Sequence, residues 1–282
     1  MTLADRTRPQ PALQQHIDAA QAYVRGNPEH ADGRARLFQW LAVAGDWQRA
    51  RSQLEWCAKL APQAAPTLAL YRSAIDGEQA RQAAFAGEQP PAWFGTRPEP
   101  AWLGHALQGL RPGADLNACF EQVREQAGAM AGSIAVQATE NQDGLPRPFA
   151  WIGDGDSRIA PVCEIIAGGR YGWLPYEDIR RIRMEPPQGL CDLVWAQARI
   201  DLADGREQPC LIPARYPAGG GVPDYAEQDE AALMSRRTAW SAVGPGSYLG
   251  IGQKMLMTDQ GEYALLDVRE IVCGDGAGLP AR

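Results

Sequence analysis

The sequence has no long apolar run, little lysine and little histidine. No stretch approaches the roughly 20 consecutive apolar residues that a membrane-spanning helix requires. The charged residues between Met1 and Pro9 have no apolar segment behind them, so the start does not resemble a secretory signal. We therefore expect a soluble protein that stays in the cytoplasm and does not insert into a membrane.

The cysteines and the net charge exclude further classes. Six cysteines are scattered along the chain without a single C-x-x-C pair, which in a reducing compartment is typical of small buried side chains. The net charge of −7 gives a field that repels phosphate backbones. We expect no disulfide framework and no nucleic-acid partner.

Residues that carry common catalytic and cofactor chemistry are scarce. The three histidines are His16, His30 and His105, and no G-x-S-x-G motif marks a serine nucleophile. Residues 219–221 are three glycines without a following lysine, and residues 244–249 lack the last glycine of a dinucleotide-binding loop. The sequence therefore predicts no catalytic, metal-binding or cofactor-binding residues.

One polar cluster leaves an enzymatic alternative open. Asp154 and Asp156 lie on either side of Gly155, just after an apolar segment, and paired carboxylates can bind a cation or act as acid and base in a hydrolase. Asp, Gly and Ser are also typical turn residues that cap backbone groups. We favour the turn.

The first half of the chain has helical periodicity. Apolar residues recur at helical spacing from Leu13 to Val24, and further helices are predicted over 34–44, 47–58 and 65–86. Two more are predicted over 101–111 and 115–130, after a proline-rich irregular connector at 87–100. Residues 45–62 have the glycine, tryptophan, alanine and proline spacing of the second half of a tetratricopeptide repeat, which predicts a TPR-like helical domain.

The second half is predicted to be α+β with mainly antiparallel strands. Strands are predicted over 149–152, 170–174 and 179–184, with hairpins around Asp204-Gly205 and around residues 259–261. Helices are predicted over 159–167, capped by Gly168-Gly169, and over 225–236. We expect a small, bent sheet or partial barrel. The predicted organisation is a flexible N-terminus (1–10), a helical domain (11–132), an α+β domain (133–273) and a flexible tail (274–282).

Several stretches together resemble one protein family. Residues 149–161 (FAWIGDGDSRIAP) and 169–177 (GRYGWLPYE) are similar to two segments of the ImpE/TagJ family, and residues 192–195 and 213–217 continue the similarity in the same order. The helical part adds residues 44–47 (AGDW). Glycines replace the usual alanines at 153 and 155 and the usual aromatic at 172, and residues 219–221 are unusual for the family.

The resemblance implies an accessory protein of the bacterial type VI secretion system. It implies a non-catalytic role, in which the protein binds the N-terminal helix of the small contractile-sheath subunit. A general TPR-type adaptor for another complex remains an alternative.

We expect recognition of an amphipathic helix in a groove, through apolar anchors at helical spacing. Candidate partner-binding residues in the helical domain are Leu37, Trp40, Leu41 and Trp47. Trp151 and Trp173 are candidates for a rival location in the second half. The alternative for each of these side chains is a place in the core.

Overall fold

A computed structural model describes residues 12–138 and 144–274 of the chain. The predicted flexible N-terminus lies outside the described residues, as does the predicted tail except for Gly274. The chain divides into two compact units, of which the first ends at Arg72 and the second begins at Ser73. The sequence-based boundary between residues 132 and 133 differs from this division, because three predicted helices lie wholly or partly in the second unit.

The first unit is helical. Its helices are α1 (Ala12–Gly26), α2 (Ala31–Ala44), α3 (Trp47–Leu60) and the beginning of α4 (Ala65–Phe85). Gly45 ends α2 in the left-handed conformation (φ 74°), which glycine adopts without steric cost. The carboxylate of Asp46 then accepts a hydrogen bond from the amide of Arg49 and caps α3. Two residues therefore reverse the chain between α2 and α3.

Among the described residues, the second unit contains the rest of α4, three further α-helices, several short 3-10 turns and the strands. The helices are α5 (Trp102–Gly109), α6 (Leu116–Gln126) and α7 (Glu230–Leu233). The strands are β1 (Ala92–Trp93), β2 (Gly132–Val136), β3 (Arg147–Phe149), β4 (Ile152–Asp154), β5 (Val162–Ala167), β6 (Arg170–Pro175), β7 (Ile179–Met184), β8 (Trp195–Leu202), β9 (Glu207–Pro213), β10 (Thr238–Gly244), β11 (Ser247–Gly252), β12 (Met255–Thr258), β13 (Gly261–Ala264) and β14 (Val268–Cys273).

Most of the strands form one mainly antiparallel sheet. Within the described residues it has nine strands in the order β1-β6-β5-β9-β8-β7-β14-β2-β3, and only β1 pairs in parallel. Two smaller sheets are β13-β12-β4 and β10-β11. The α+β class and the antiparallel pairing are confirmed. The expectation of a small sheet is wrong, because pairings between distant segments join the predicted hairpins into one sheet.

The predicted hairpins were the most accurate local predictions. β8 and β9 pair around Asp204-Gly205, with Ile200 opposite Gln208. β12 and β13 pair around Asp259-Gln260, with Thr258 opposite Gly261. Both turns have sequences whose backbone preference closes a tight hairpin, so the local sequence determines them.

The predicted helix over 159–167 is wrong. Residues 162–167 form β5, in which every residue is buried, and Gly168-Gly169 form a hairpin turn with φ of 57° and 78°. A continuous apolar run has no alternation, so its periodicity does not distinguish a buried strand from a buried helix. The β-branched residues Val162, Ile165 and Ile166 favour the strand.

Three other predicted elements are also corrected. Residues 149–152 are divided between β3 and β4, which belong to different sheets. Only Glu230–Leu233 of the predicted helix over 225–236 is α-helical, because Asp229 caps its start and Ser235 follows with a positive φ of 54°. The predicted irregular connector contains β1.

The main core of the second unit lies on the nine-stranded sheet. It is built from aliphatic side chains such as Ile165, Ile182 and Ile200, which are almost fully buried. All six cysteines are free and buried. Among the described residues, no helix is long and apolar enough to cross a bilayer.

Candidate functional site

A groove lies between the first two helices of the first unit. It has a volume of about 420 Å³, within the range of pockets that bind ligands. We call it the α1–α2 groove. Its walls are His16, Ala19, Ala20 and Tyr23 from α1, His30 from the connection, and Asp32, Gly33, Arg36 and Trp40 from α2.

The aromatic side chains of the groove are fixed by contacts with one another. The rings of His16 and Trp40 are stacked, with centroids 4.4 Å apart and an angle of 5° between planes. Tyr23 meets His30 edge to face at 5.5 Å. A Cβ on Gly33 would lie 2.7 Å from the Tyr23 ring, so the ring depends on this glycine for its place. The aromatic walls of the groove are therefore held in place by contacts within the chain.

The small residues and the exposure of Tyr23 give the groove an accessible apolar surface. Ala19 is exposed, and Tyr23 remains 47% exposed despite its contacts. Residues 16, 19, 20 and 23 share one stripe of α1 because they are three or four positions apart. Asp32 and Arg36 add charge at the α2 wall. Apolar walls with a few polar groups suit an amphipathic helix.

The structure separates the predicted partner-binding residues into two groups. Leu37, Leu41, Trp47 and Trp173 are each at most 4% exposed, so their side chains contribute to cores and offer almost no surface. Trp40 is partly buried and lines the α1–α2 groove. Trp151 is 41% exposed, immediately before β4. Trp151 and Trp173 are not among the residues that line the α1–α2 groove.

A cluster of buried charges lies in the second unit and is centred on Glu164. Arg81 donates two hydrogen bonds to this carboxylate at 2.8 Å, one to each oxygen. The Tyr171 hydroxyl donates a third at 2.6 Å, and the Lys254 ammonium lies 2.5 Å from Oε2. Burial opposes ionisation, but Arg81 and Lys254 outweigh it and hold the pKa of Glu164 well below its usual value.

Lys254 connects Glu164 to the predicted turn. Its ammonium donates to Asp154 Oδ2 at 2.8 Å, and the other oxygen of Asp154 accepts the Asp156 amide at 2.9 Å. Burial raises the pKa of Asp154 to about 6, although Lys254 acts in the opposite direction. The carboxylate is therefore a weaker acid than an exposed aspartate.

Asp156 is held by the arginine two residues later. Arg158 donates to both oxygens of this carboxylate, at 2.9 and 2.6 Å, and Gly250 donates a backbone amide at 2.9 Å. Arg158 also reaches the carbonyl of Gly219 at 2.8 Å. These contacts support the prediction that residues 154–156 form a structural turn. Its two carboxylates accept hydrogen bonds from backbone amides and from the Lys254 and Arg158 side chains.

The cluster as a whole balances its charges. Its acidic members are Glu78, Asp154, Asp156 and Glu164, and its basic members are Arg81, Arg158, Arg215 and Lys254. Buried ions persist when they are paired and hydrogen-bonded. The two segments of highest family resemblance supply Asp154, Asp156, Arg158, Tyr171 and Trp173, so these motifs build the interior of the domain.

The geometry gives the hydrolase alternative little support. The cavity beside Asp154, Glu164 and Lys254 has about 10 Å³, which is roughly the space of one water. No group of three His, Cys, Asp or Glu side chains in the described ranges could hold a metal ion. Asp156 is fully buried and is not among the residues that line this cavity.

Sequence reasoning missed several of these residues. His16 and Tyr23 were not among the candidate partner-binding residues, although with Ala19 and Ala20 they form a stripe beside the core residues of α1. Glu78 and Arg81 have the spacing of an ordinary exposed ion pair on a helix. Lys254 is one of only two lysines, and this rarity was the available signal.

Comparisons with known proteins agree with the resemblance. The model of the ImpE protein family matches residues 146–272. Over 260 residues the chain is 38% identical to the type VI secretion system accessory component TagJ of Pseudomonas aeruginosa. The aligned region covers 92% of this chain and 86% of that protein.

A solved structure shows the same fold. The X-ray crystal structure of protein VPA1032 from Vibrio parahaemolyticus matches with a TM-score of 0.77 and 20% identity, covering 93% of this chain and 94% of that one. Because the identity to TagJ extends over nearly the whole length, the chain belongs to the ImpE/TagJ family of type VI secretion accessory proteins.

Proposed function

We propose that this chain binds the N-terminal helix of the small contractile-sheath subunit of the type VI secretion system, with the α1–α2 groove as the receptor. The observation that carries the proposal is the groove itself, which has stacked aromatic walls, an exposed tyrosine and small apolar residues beside a few charged ones. The protein would act in the cytoplasm as a non-catalytic accessory component that influences sheath assembly or recycling.

Trp40 and Tyr23 would be the main contacts in this groove. Large aromatic side chains are enriched among the residues that dominate binding energy, because they bury much apolar area with few rotatable bonds. Leu37, Leu41 and Trp47 would support binding indirectly by fixing α2 and α3. Trp151 marks the rival location on the second unit.

Titration calorimetry of the full chain with a synthetic peptide of the sheath-subunit N-terminal helix tests the proposal. We expect Ala19→Arg to weaken binding roughly tenfold or more, because the new side chain fills the groove. Ala22→Arg is the matched control, since Ala22 is exposed on the same helix about 110° around the axis from the centre of the groove stripe. Trp40→Ala should also weaken binding, after circular dichroism has verified its fold.

Three results would contradict the proposal in distinguishable ways. No heat with the peptide would remove the sheath helix as the partner. Binding that Ala19→Arg leaves intact, but that Trp151→Ala weakens, would move the site to the second unit. Recovery of a different tight partner from native cytosol, without sheath components, would favour the general adaptor.

A further inference from the structure

Strand β10 is a free edge within the described residues. It pairs only with β11, and this two-stranded sheet is joined to no other strand. The other edge of the hairpin, along β11, is covered by the turn before β5. There the amides of Tyr248 and Gly250 donate to Ser157 Oγ and Asp156 Oδ2.

The pairing identifies the backbone groups on the free edge. The amides of Tyr248 and Gly250 point away from β10. In an antiparallel pair, the amides and carbonyls of their cross-strand partners, Ala242 and Trp240, must therefore point away from β11. Thr238 follows the same alternation. The amides and carbonyls of these three residues have no hydrogen-bond partner in the described part of the chain. A row of unsatisfied groups in this arrangement is a template for another strand.

The side chains of β10 do not protect this edge. Its seven residues, TAWSAVG, include no charge and no proline, which are the residues that normally prevent strands from pairing at an edge. Ala242 is exposed, and Trp240 is 37% exposed on the same face. A bulge after Ala242 ends the regular edge, so five residues remain for pairing.

We propose that β10 pairs antiparallel with β10 of a second copy of this chain, around a two-fold axis at Trp240. This register places Trp240 opposite Trp240 and Thr238 opposite Ala242, so all three outward-facing residues of each copy meet outward-facing residues of the other. About six hydrogen bonds would form. The Trp240 ring already packs on the Tyr216 ring, with centroids 5.5 Å apart, so the backbone hydrogen bonds would hold the two strands together.

The charges at the two ends of β10 fit this arrangement. Arg236 and Arg237 precede the strand, and Arg236 is exposed. At the other end, Gly244 lies against Asn117 of α6, whose amide donates to Glu121 at 2.9 Å. Arg124 in the same helix is bound to the Gly246 carbonyl and the Ser247 hydroxyl. Antiparallel pairing would bring Arg236 of one copy near Glu121 of the other.

A second copy is favoured over an unrelated strand because the edge is self-complementary. An uncharged strand has no like-charge penalty when it meets itself, and a two-fold axis uses the same surface on both copies. The contact is small, so we expect a dimer that depends on concentration. This inference is independent of the α1–α2 groove, which lies in the first unit.

Sedimentation equilibrium of the full chain, from low micromolar to several hundred micromolar, tests the proposal. The wild-type chain should dimerise within this range. Ala242→Lys should raise the dimer dissociation constant roughly tenfold or more, because each new ammonium would lie beside Arg236 of the other copy. Ala226→Lys places the same change on an exposed alanine of a short turn and should have no effect.

The fold of both variants is checked by circular dichroism and thermal unfolding, since Ala242 and Ala226 are exposed and should tolerate lysine. A wild-type chain that stays monomeric over the whole concentration range would overturn the proposal. So would a dimer that Ala242→Lys and Ala226→Lys affect equally, because the contact would then lie elsewhere.

Discussion

Removing the ionic partner of a buried charge in the second unit should lower stability far more than removing the partner of an exposed charge. Lys254 is 2% exposed and neutralises both Asp154 and Glu164. Removing one partner of a buried ionic group leaves an uncompensated charge, which costs about 3–5 kcal/mol. We therefore expect Lys254→Met to lower the free energy of unfolding by this amount, measured by urea denaturation.

Arg183→Met is the matched control for this measurement. Arg183 also contacts two carboxylates, those of Asp201 and Glu207, but its side chain is 44% exposed. Solvent screens such pairs, and their loss costs about 1 kcal/mol or less. If Lys254→Met and Arg183→Met lowered the free energy of unfolding by similar amounts, burial would not determine how much these ion pairs stabilise the fold.

Asp154 gives stability a specific dependence on pH. Its pKa rises from 3.8 to about 6 on burial, so between these values the folded chain binds more protons than the unfolded chain. The contribution of Asp154 to the free energy of unfolding therefore falls as the pH rises through this window. The pKa difference corresponds to about 3 kcal/mol.

The comparison with Asp154→Asn isolates this effect, because asparagine does not titrate. The stability of the wild-type chain relative to Asp154→Asn should fall by up to about 3 kcal/mol between pH 4 and pH 7. Urea denaturation of both chains at several pH values measures the difference. A difference that is constant over this range would contradict the shifted pKa.

The sequence predicted the Asp154 turn but not its partners. The carboxylates cap nearby amides, and this local use follows from residue type and spacing. Lys254 is 100 positions from Asp154, and Arg81 is 83 from Glu164. Contacts over such separations depend on how the strands are ordered in the sheets, which no local pattern contains.

Elements were predicted well where local preference and tertiary packing agree. The Asp204-Gly205 hairpin and the helices of the first unit are of this kind. β5 is the opposite case, because its apolar run fits either a helix or a strand buried on both faces. The α1–α2 groove was missed for a related reason, since His16 and Tyr23 line it only when α2 packs beside α1.

Gly172 shows how one element fixes another. A Cβ at this position would lie 2.1 Å from the carbonyl oxygen of Ala92, which pairs with it across β1 and β6. Any side chain larger than hydrogen would be incompatible with this approach of β1. We expect Gly172→Ala to lower stability by about 1–3 kcal/mol and to speed amide exchange of Trp93 and Phe94.

Hydrogen–deuterium exchange and thermal unfolding measure both effects. Gly104→Ala is the control, because Gly104 lies in α5 with no atom within 4 Å of the new methyl group, and alanine favours a helix by about 0.5–1 kcal/mol. If Gly172→Ala unfolds at the wild-type temperature with unchanged exchange at β1, the close approach of the two strands is not a constraint.

At the scale of the whole molecule, the two proposed contacts use different units. The α1–α2 groove belongs to the first unit and the free edge of β10 to the second. A dimer formed through β10 would have two α1–α2 grooves, one on each copy. Against an array of identical sheath subunits, two linked grooves would bind more tightly than one, because the second binding event becomes intramolecular.

Because all six cysteines are buried, the two proposed contacts can be followed by spectroscopy with a label on an introduced cysteine. Desolvation raises the pKa of Cys210 and of Cys273 to about 12, and the pKa of Cys163 is also raised well above its usual value. Thiolates, which react with maleimides, are therefore scarce in the folded chain. A single cysteine introduced at an exposed alanine would accept a dye or spin label selectively, without removal of the native six.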